Sequence, residues 1–152
     1  MQISIIKEAD NIEQRVSSTP DSIELLKRLG AEILIESGAG DLSGFSDESF
    51  KQAGAKITNR SECLNADICL CVRIPSKQDI QAMKSGSILI GILNPYENSD
   101  YFEELNKKNI TSCCMELIPR ISRAQSMDVL SSQANLAGYK AVIDAAEKFK
   151  KA

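Results

Sequence analysis

A polar run near residue 120 carries the side-chain types best suited to contact a ligand. Pro119–Gln133 reads PRISRAQSMDVLSSQ. Two arginines three apart precede a glutamine, an aspartate and a serine at three-residue steps: Arg120, Arg123, Gln125, Asp128 and Ser131. Arginine offers a planar fork of donors for phosphates and carboxylates, whereas Gln, Asp and Ser bond ribose hydroxyls and amides. The run predicts a nucleotide-contacting loop that turns into a helix; an ordinary solvated and capped helix start is the alternative, and spacing does not separate the two.

The composition limits the chemistry. The chain has 152 residues, a net charge of −3 and no histidine, so it lacks the commonest general base and metal ligand. No basic field favours nucleic acid, and we expect no metal site. No apolar run reaches the ~18 residues of a membrane helix, and the start does not resemble a signal peptide. We therefore expect a soluble cytoplasmic chain that does not itself insert into a membrane.

The five cysteines do not have the spacing of a zinc site, and their odd number argues against a disulfide framework. Cys69 and Cys71 fall two apart in a predicted strand, on one face, whereas Cys113 and Cys114 point to opposite faces of another. We expect buried, reduced thiols that pack as small apolar residues.

Strands alternate with helices along the first 115 residues. Helix starts are indicated by capping residues at Thr19, Ser46 and Ser76 and by Ser99. Predicted strands are Ile3–Ile6, Ile33–Ile35, Lys56–Thr58, Ile68–Val72, Ser87–Leu93 and Ile110–Met115. The fully apolar run Ile68–Val72 is typical of an internal parallel strand covered on both faces. The pattern predicts an α/β fold, a parallel sheet flanked by helices (Rossmann-like or flavodoxin-like, three layers), that ends in a long C-terminal helix.

That helix is predicted from Met127 to about Lys150. It carries small residues at 4-3-4 spacing, which lets another backbone approach closely: Ala134, Gly138, Ala141 and Ala145. We divide the chain into an N-terminal α/β domain, 1–126, and a connecting helix, 127–152. A terminal helix of this length needs a surface to pack on, so we expect it to lead into a second domain absent from this chain.

The C-terminal edge of a parallel sheet is where such folds place ligands. Arg15 lies in the loop after the first strand and is suited either to hold a carboxylate or to pair with Glu8 or Glu13. Arg73 and Asn94 follow later strands at the same edge. The glycines of Gly38–Gly44 have G-x-G-x-x-x-G spacing, with no helix opening on the third glycine, so we interpret them as a turn rather than a phosphate loop.

Several motifs together resemble the N-terminal domain shared by alanine dehydrogenase and proton-translocating NAD(P)+ transhydrogenase. These are Lys7-Glu8, Glu13-Gln14-Arg15-Val16, Thr19-Pro20, Glu36-Ser37-Gly38-Ala39-Gly40 and Ala53-Gly54-Ala55. Pro119–Gln133, followed by Asn135–Val142, is similar to the transhydrogenase alpha subunit, the NAD(H)-binding component. The similarity runs through nearly all 152 residues.

The resemblance implies hydride transfer from NADH on this component to NADP+ on a partner, coupled by a membrane component to proton translocation. It also implies a homodimer at full length and a peripheral position on the cytoplasmic face of the bacterial inner membrane, through partner subunits. Direct hydride transfer moves no proton at the reacting atoms, so the lack of histidine is no obstacle. It requires two nicotinamide rings held close together with water excluded.

The resemblance also assigns roles within the polar run. It makes Gln125, Asp128 and Arg120 the residues closest to hydride transfer. Arg120 and Asp128 orient the nicotinamide, Gln125 reaches towards the partner's NADP(H), and Ser131 bonds the carboxamide region. The full set of implied NAD(H) contacts is Arg120, Ile121, Ser122, Arg123, Gln125, Asp128 and Ser131.

Two other functions stay open. An alanine dehydrogenase uses an arginine, a lysine and a histidine on its keto acid; Arg15 matches the arginine, but Cys71 and Asn94 stand at the other two positions, which disfavours that activity. A free-standing, non-catalytic ligand-binding or regulatory domain of the same fold is the remaining alternative. The resemblance also implies that the second domain, beyond Ala152, is an NAD-binding Rossmann domain that binds the phosphates. We therefore predict that this chain alone binds NAD(H) weakly or not at all and is inactive.

Overall fold

A computed structural model describes residues 1–9 and 12–149 of the chain. Contacts between residues divide the chain into two compact units, Met1–Cys114 and the segment from Met115 onward. The predicted helix end at Lys150 lies outside the described residues. The division at residue 126 and the further domain stay predictions.

The first unit contains one six-stranded sheet in which every neighbouring pair is parallel. The strands are β1 (Gln2–Ile5), β2 (Glu32–Glu36), β3 (Lys56–Thr58), β4 (Ile68–Arg73), β5 (Ile88–Ile92) and β6 (Thr111–Cys114). Their spatial order is β3-β2-β1-β4-β5-β6, the order of doubly wound dinucleotide-binding folds. The predicted fold class is confirmed.

Five helices connect these strands: α1 (Pro20–Arg28), α2 (Asp47–Gln52), α3 (Arg60–Leu64), α4 (Lys77–Ala82) and α5 (Ser99–Lys107). The predicted caps are confirmed for three of them, since Thr19, Ser46 and Ser76 each accept a hydrogen bond from a first-turn amide. Asn59 caps α3 in the same way. Helix α3 was not predicted, because five residues between two strands show no helical periodicity.

Two apolar layers hold the helices on the sheet. On one face, Ile23 of α1 and Phe50 of α2 pack with the isoleucines of β1 and β2. On the other face, residues of α3, α4 and α5 pack with Leu34, Cys69 and Leu89. Burial of these side chains in both layers supplies most of the stabilisation of such a domain.

The cysteines divide by position. Cys63, Cys69 and Cys71 are buried as predicted, and burial raises the pKa of each thiol above its ordinary value. The prediction is wrong for Cys113, which is exposed because it lies on the face of β6 opposite to the one that packs with α5. Cys114 is half-buried, and none of the five, all of them described, is in a disulfide.

The second unit has two 3₁₀ turns, Met115–Leu117 and Ser122–Met127, followed by the 20-residue helix α6 (Val129–Lys148). The predicted long helix is thus confirmed, with its first residue at Val129 rather than Met127. Within the described ranges, no helix has the length and apolar character needed to cross a membrane.

Candidate functional site

The polar run folds into a 3₁₀ turn that stops where α6 begins. Two backbone hydrogen bonds hold the turn. The Ala124 amide donates to the Ile121 carbonyl at 2.9 Å, and the Asp128 amide donates to the Gln125 carbonyl at 3.3 Å. Ala124 is buried, whereas Arg123 and Gln125 on either side of it are exposed. The tight turn thus fixes the backbone and leaves its long polar side chains in solvent.

Asp128 joins the turn to the helix. Its carboxylate accepts hydrogen bonds from the Leu130 and Ser131 amides, both at 3.0 Å, and from the Ser131 hydroxyl at 2.6 Å. The Ser131 bonds and the nearby positive charge of Arg120 lower the pKa of Asp128, so the group is an ionised acceptor at neutral pH. The capping interpretation of the run is therefore confirmed for Asp128, and it is compatible with a ligand role because a carboxylate has further acceptor sites.

Six of the seven predicted contact residues line one cavity of about 310 Å³ in this unit: Arg120, Ile121, Ser122, Gln125, Asp128 and Ser131. Arg123 does not line it. Small-molecule pockets range from about 300 to 1,000 Å³. The volume therefore suits one end of a dinucleotide better than the whole molecule, and the donors and acceptors along its wall match a carboxamide and a ribose.

A second cavity, of about 390 Å³, lies at the C-terminal edge of the sheet in the first unit. Its walls are Arg15, Val72, Arg73, Ile74, Ile92, Asn94 and Asn98. The strand order reverses between β1 and β4, and ligands of doubly wound folds bind outside the strands' carboxyl ends at such a reversal. Sequence patterns identified three of the polar wall residues and missed Asn98, whose amide donates to the Leu93 and Asn94 carbonyls at 3.0 and 3.2 Å.

Glu13 holds the two arginines of this cavity. It accepts from Arg15 Nε and Nη2 at 2.8 and 2.7 Å and from Arg73 Nε at 3.2 Å, and it is only 6% exposed. The Arg15 hydrogen bonds, opposed by burial, hold the pKa of Glu13 at about 2. The ion-pair interpretation of Arg15 is confirmed, with Glu13 as the partner. A carboxylate-binding role for Arg15 stays a hypothesis.

The two positions that distinguish keto-acid chemistry have no acid–base group. Cys71 is buried in the layer under α3, α4 and α5, its Sγ is 3.6 Å from the Ile90 carbonyl, and it does not line the cavity. Asn94 lines the cavity in a left-handed backbone conformation (φ 46°), which asparagine tolerates better than most residues. Asn94 has no ionisable group, and burial raises the pKa of the Cys71 thiol well above its ordinary value.

The glycine-rich turn after β2 is occupied by the protein's own carboxylate. Asp47 accepts from the Gly38 amide at 2.8 Å and from the Ser37 hydroxyl at 2.7 Å. At Gly40, an added Cβ would lie 2.6 Å from the Phe50 ring and 2.7 Å from the Phe45 carbonyl. Packing thus explains Gly40, and left-handed backbone conformations with φ of 73° and 80° explain Gly38 and Gly44. The interpretation of a turn rather than a phosphate loop agrees with this geometry.

Arg60 is an important residue that sequence patterns missed. It donates to both carboxylate oxygens of Asp79, at 2.7 and 2.8 Å, and to Glu36 at 2.8 Å. It therefore ties α3 to α4 and to the end of β2. The missed signal was Asn59, whose capping side chain begins the short helix that carries Arg60.

Comparison with known proteins places this fold in a family. Residues 4–137 match the family model for the N-terminal domain of alanine dehydrogenase/PNT. The chain belongs to this family. It is 42% identical to NAD(P) transhydrogenase subunit alpha of Cereibacter sphaeroides, over 98% of this chain and 29% of that one. The solved structure of a transhydrogenase from Sinorhizobium meliloti superposes with a TM-score of 0.96 at 45% identity, covering 100% of this chain and 46% of that chain.

Similarity to the other branch of the family is lower. Alanine dehydrogenase 1 of Staphylococcus aureus is 27% identical over 94% of this chain and 38% of its own length. The predicted resemblance to the transhydrogenase alpha subunit is therefore confirmed. The chain spans less than half the length of each of these relatives.

Proposed function

We propose that this chain is the first section of the NAD(H)-binding component of a proton-translocating NAD(P)+ transhydrogenase. The cavity formed by the turn and the start of α6 is the observation that carries this proposal, because it gathers six side chains suited to the nicotinamide end of NAD(H). The higher identity to a transhydrogenase alpha subunit than to alanine dehydrogenase supports it further.

NAD(H), when bound, supplies the hydride that NADP+ accepts. Within the cavity, the Arg120 guanidinium offers donors to oxygens of the nicotinamide end, while Ile121 offers an apolar wall and Ser122 a further hydroxyl. The proposed task of Gln125 is to reach the partner's NADP(H). Arg123 lies outside the cavity wall and is proposed for the phosphate side.

The hydrogen bond between Asp128 and Ser131 defines what these two residues offer. The Ser131 hydroxyl donates a hydrogen bond to Asp128, so its oxygen can still accept a hydrogen bond from the amide group of a carboxamide. Asp128 is held by two backbone amides and stays ionised. A fixed acceptor pair of this kind restricts the rotation of the carboxamide, and restricted ring orientation is what direct hydride transfer requires.

The missing acid–base groups separate this proposal from keto-acid chemistry. Reductive amination needs a proton donor beside the keto acid, and the buried Cys71 and the neutral Asn94 do not supply one. Hydride exchange between two nicotinamides needs no such group, so the same two residues are compatible with it.

The partners follow from this function. We propose that the complete component is a homodimer that works with an NADP(H)-binding component and a membrane component. It would then lie at the cytoplasmic face of the bacterial inner membrane through those partners.

A ligand-binding or regulatory domain without redox chemistry is the second candidate. The cavity at the sheet edge favours it, because Arg15 and Arg73 border a space of about 390 Å³ that the nicotinamide function does not use. A complete protein without hydride exchange would favour this candidate.

The test is an assay of the complete subunit reconstituted with its partner components. We expect NADH-dependent reduction of NADP+ and no NADH oxidation with pyruvate and ammonia. Turnover of pyruvate and ammonia without NADP+ reduction would contradict the proposal and support the dehydrogenase alternative.

A further inference from the structure

The hydroxyl of Ser132 lies in the first turn of α6, next to the proposed NAD(H) contacts. It is 3.1 Å from the Asp128 carbonyl oxygen and 3.2 Å from the Val129 carbonyl oxygen, so it donates its one hydrogen to the backbone. Ser132 is exposed, and it is not among the described residues that line the cavity beside α6. The hydroxyl therefore binds the start of the helix rather than the space that a ligand would fill.

Helix stability does not account for this hydroxyl. Other groups already cap α6: the Asp128 carboxylate accepts from the Leu130 and Ser131 amides, and the Asp128 carbonyl accepts from the Ser132 amide. A serine hydroxyl that binds the carbonyl four residues earlier slightly destabilises a helix and often bends it. Alanine is also the better helix former at an exposed position. The hydroxyl is therefore better explained by the carbonyl group that it holds.

The Asp128 carbonyl belongs to the peptide group that turns the chain into α6. Asp128 has a ψ of 93°, far from the helical value, and this angle sets the direction of the peptide group relative to the carboxylate. The amide of Ser132 lies 3.2 Å from the carbonyl oxygen, at the long end of the range for N–H···O hydrogen bonds. The Ser132 hydroxyl is a second donor to the same oxygen, and two donors restrict the peptide plane more than one.

We propose that Ser132 is a positioning residue for Asp128. Its hydroxyl holds the peptide group after Asp128 in one orientation, and this keeps the carboxylate directed at the Ser131 hydroxyl and at the cavity. The inference rests on the proposed function, in which Asp128 orients the nicotinamide. Ser132 itself makes no ligand contact, so its effect on hydride transfer passes through Asp128.

The neighbouring Ser131 differs from Ser132 in both respects. Its hydroxyl donates to the Asp128 carboxylate rather than to the carbonyl, and it lines the cavity. A change at Ser131 therefore removes a proposed ligand contact, whereas a change at Ser132 leaves all six cavity side chains in place. The two adjacent serines thus separate direct contact from positioning.

Two substitutions of equal shape test the hydroxyl of Ser132. Threonine keeps a hydroxyl that can bond a carbonyl three or four residues earlier, and valine has the same shape without it and a similar helix propensity. The rate of hydride exchange is measured in the complete assembly at saturating NADH and NADP+. We expect Ser132→Thr to stay within about 2-fold of the unsubstituted rate and Ser132→Val to be roughly 10-fold slower, because small misplacements of reacting groups slow such transfers strongly.

The melting temperature of the complete subunit separates positioning from a structural role. We expect Ser132→Ala to slow exchange as Ser132→Val does, with an equal or higher melting temperature, since alanine favours the helix. Ser49→Ala is the matched control, because the Ser49 hydroxyl donates to the carbonyl of Ser46, the N-cap of α2, at 2.6 Å in the first unit. Its exchange rate should be unchanged. A lower melting temperature in Ser132→Ala would make the hydroxyl structural and overturn the proposal.

Failure of the positioning role and failure of the proposed function give different results. Exchange by the unsubstituted assembly, with Ser132→Val as fast as Ser132→Thr, would overturn only the role of Ser132. An unsubstituted assembly that exchanges no hydride would overturn the proposed function and the role of Ser132 with it.

Discussion

The side chains of Asp128 and Ser131 both take part in capping α6 and in lining the cavity. The carboxylate binds the first amides of α6, and the hydroxyl donates to the carboxylate, yet both line the cavity. Gln125 and Arg120 line it without any capping role. Substitutions at these last two positions therefore separate ligand contact from helix stability, whereas changes to Asp128 would alter both.

Gln125→Asn shortens the side chain proposed to reach the partner's NADP(H). We expect hydride exchange by the complete assembly to fall by roughly 10- to 100-fold, because ring placement governs the rate, with no change in melting temperature. Gln133→Asn makes the same chemical change outside the cavity wall and should leave the rate unaltered. An unchanged rate in Gln125→Asn would remove this residue from the interface between the two nucleotides.

Arg120→Ala removes the cavity's guanidinium from an exposed position. Loss of a charged hydrogen bond costs about 1.5–3 kcal/mol, so we expect NADH affinity of the complete subunit, measured by fluorescence titration, to fall by roughly 10- to 100-fold. Arg123→Ala, at an exposed arginine outside the cavity wall, should have a smaller effect. A large drop in melting temperature with normal NADH affinity would mean that Arg120 is structural.

At the scale of elements, capping chemistry and strand patterns predicted most of the fold. Lys56–Thr58 matches β3 residue for residue, and Thr19, Ser46 and Ser76 cap the expected helices. The strand order cannot be predicted from local sequence, because strand pairing joins segments that are far apart in the chain. For the same reason the cluster of Arg60, Glu36 and Asp79 was missed.

The burial of side chains on the two faces of the sheet was predicted only in part. Ile68–Val72 was expected to be buried on both faces, and Ile68 and Leu70 are only half-buried in the described structure. At the cavity beside α6, residue types and spacing indicated Arg120, Gln125, Asp128 and Ser131, and the family resemblance added Ile121 and Ser122. Arg123 was expected with them, and its exclusion depends on the direction of the 3₁₀ turn.

Glu13 joins the loop after β1 to the end of β4, and this junction should depend on pH. Its folded pKa of about 2 is below the ordinary value of 4.5. The stabilisation is therefore complete above pH 4.5 and is lost as the pH falls towards 2. We expect Glu13→Gln to lower the free energy of unfolding by about 1–3 kcal/mol at pH 7, and by less at pH 3.

Urea unfolding at several pH values measures this difference. Glu48→Gln is the control, because the Glu48–Lys51 pair is 3.7 Å long and solvent-exposed, and such pairs contribute about 0–1 kcal/mol. A Glu13→Gln effect that stays the same from pH 7 to pH 3 would show that charge pairing with Arg15 and Arg73 is not its source.

For the whole molecule, the cavity beside α6 has a volume that suits one end of a dinucleotide only. We expect the 152-residue chain to bind NADH with a Kd of about 1 mM or weaker, the level of a few contacts, in a fluorescence titration where the complete subunit is the positive control. Binding as tight as that of the complete subunit would mean that the pyrophosphate and adenosine contacts also lie within this chain.

The central claim is direct hydride transfer to NADP+ from NADH held by the component to which this chain belongs. The most direct measurement uses NADH deuterated at the transferred position of nicotinamide C4, with NADP+ and the complete assembly in ordinary water. The predicted result is NADPH that retains the deuterium, because the hydride passes directly from carbon to carbon and does not exchange with water. Loss of the deuterium to water, or no NADPH at all, would contradict the account.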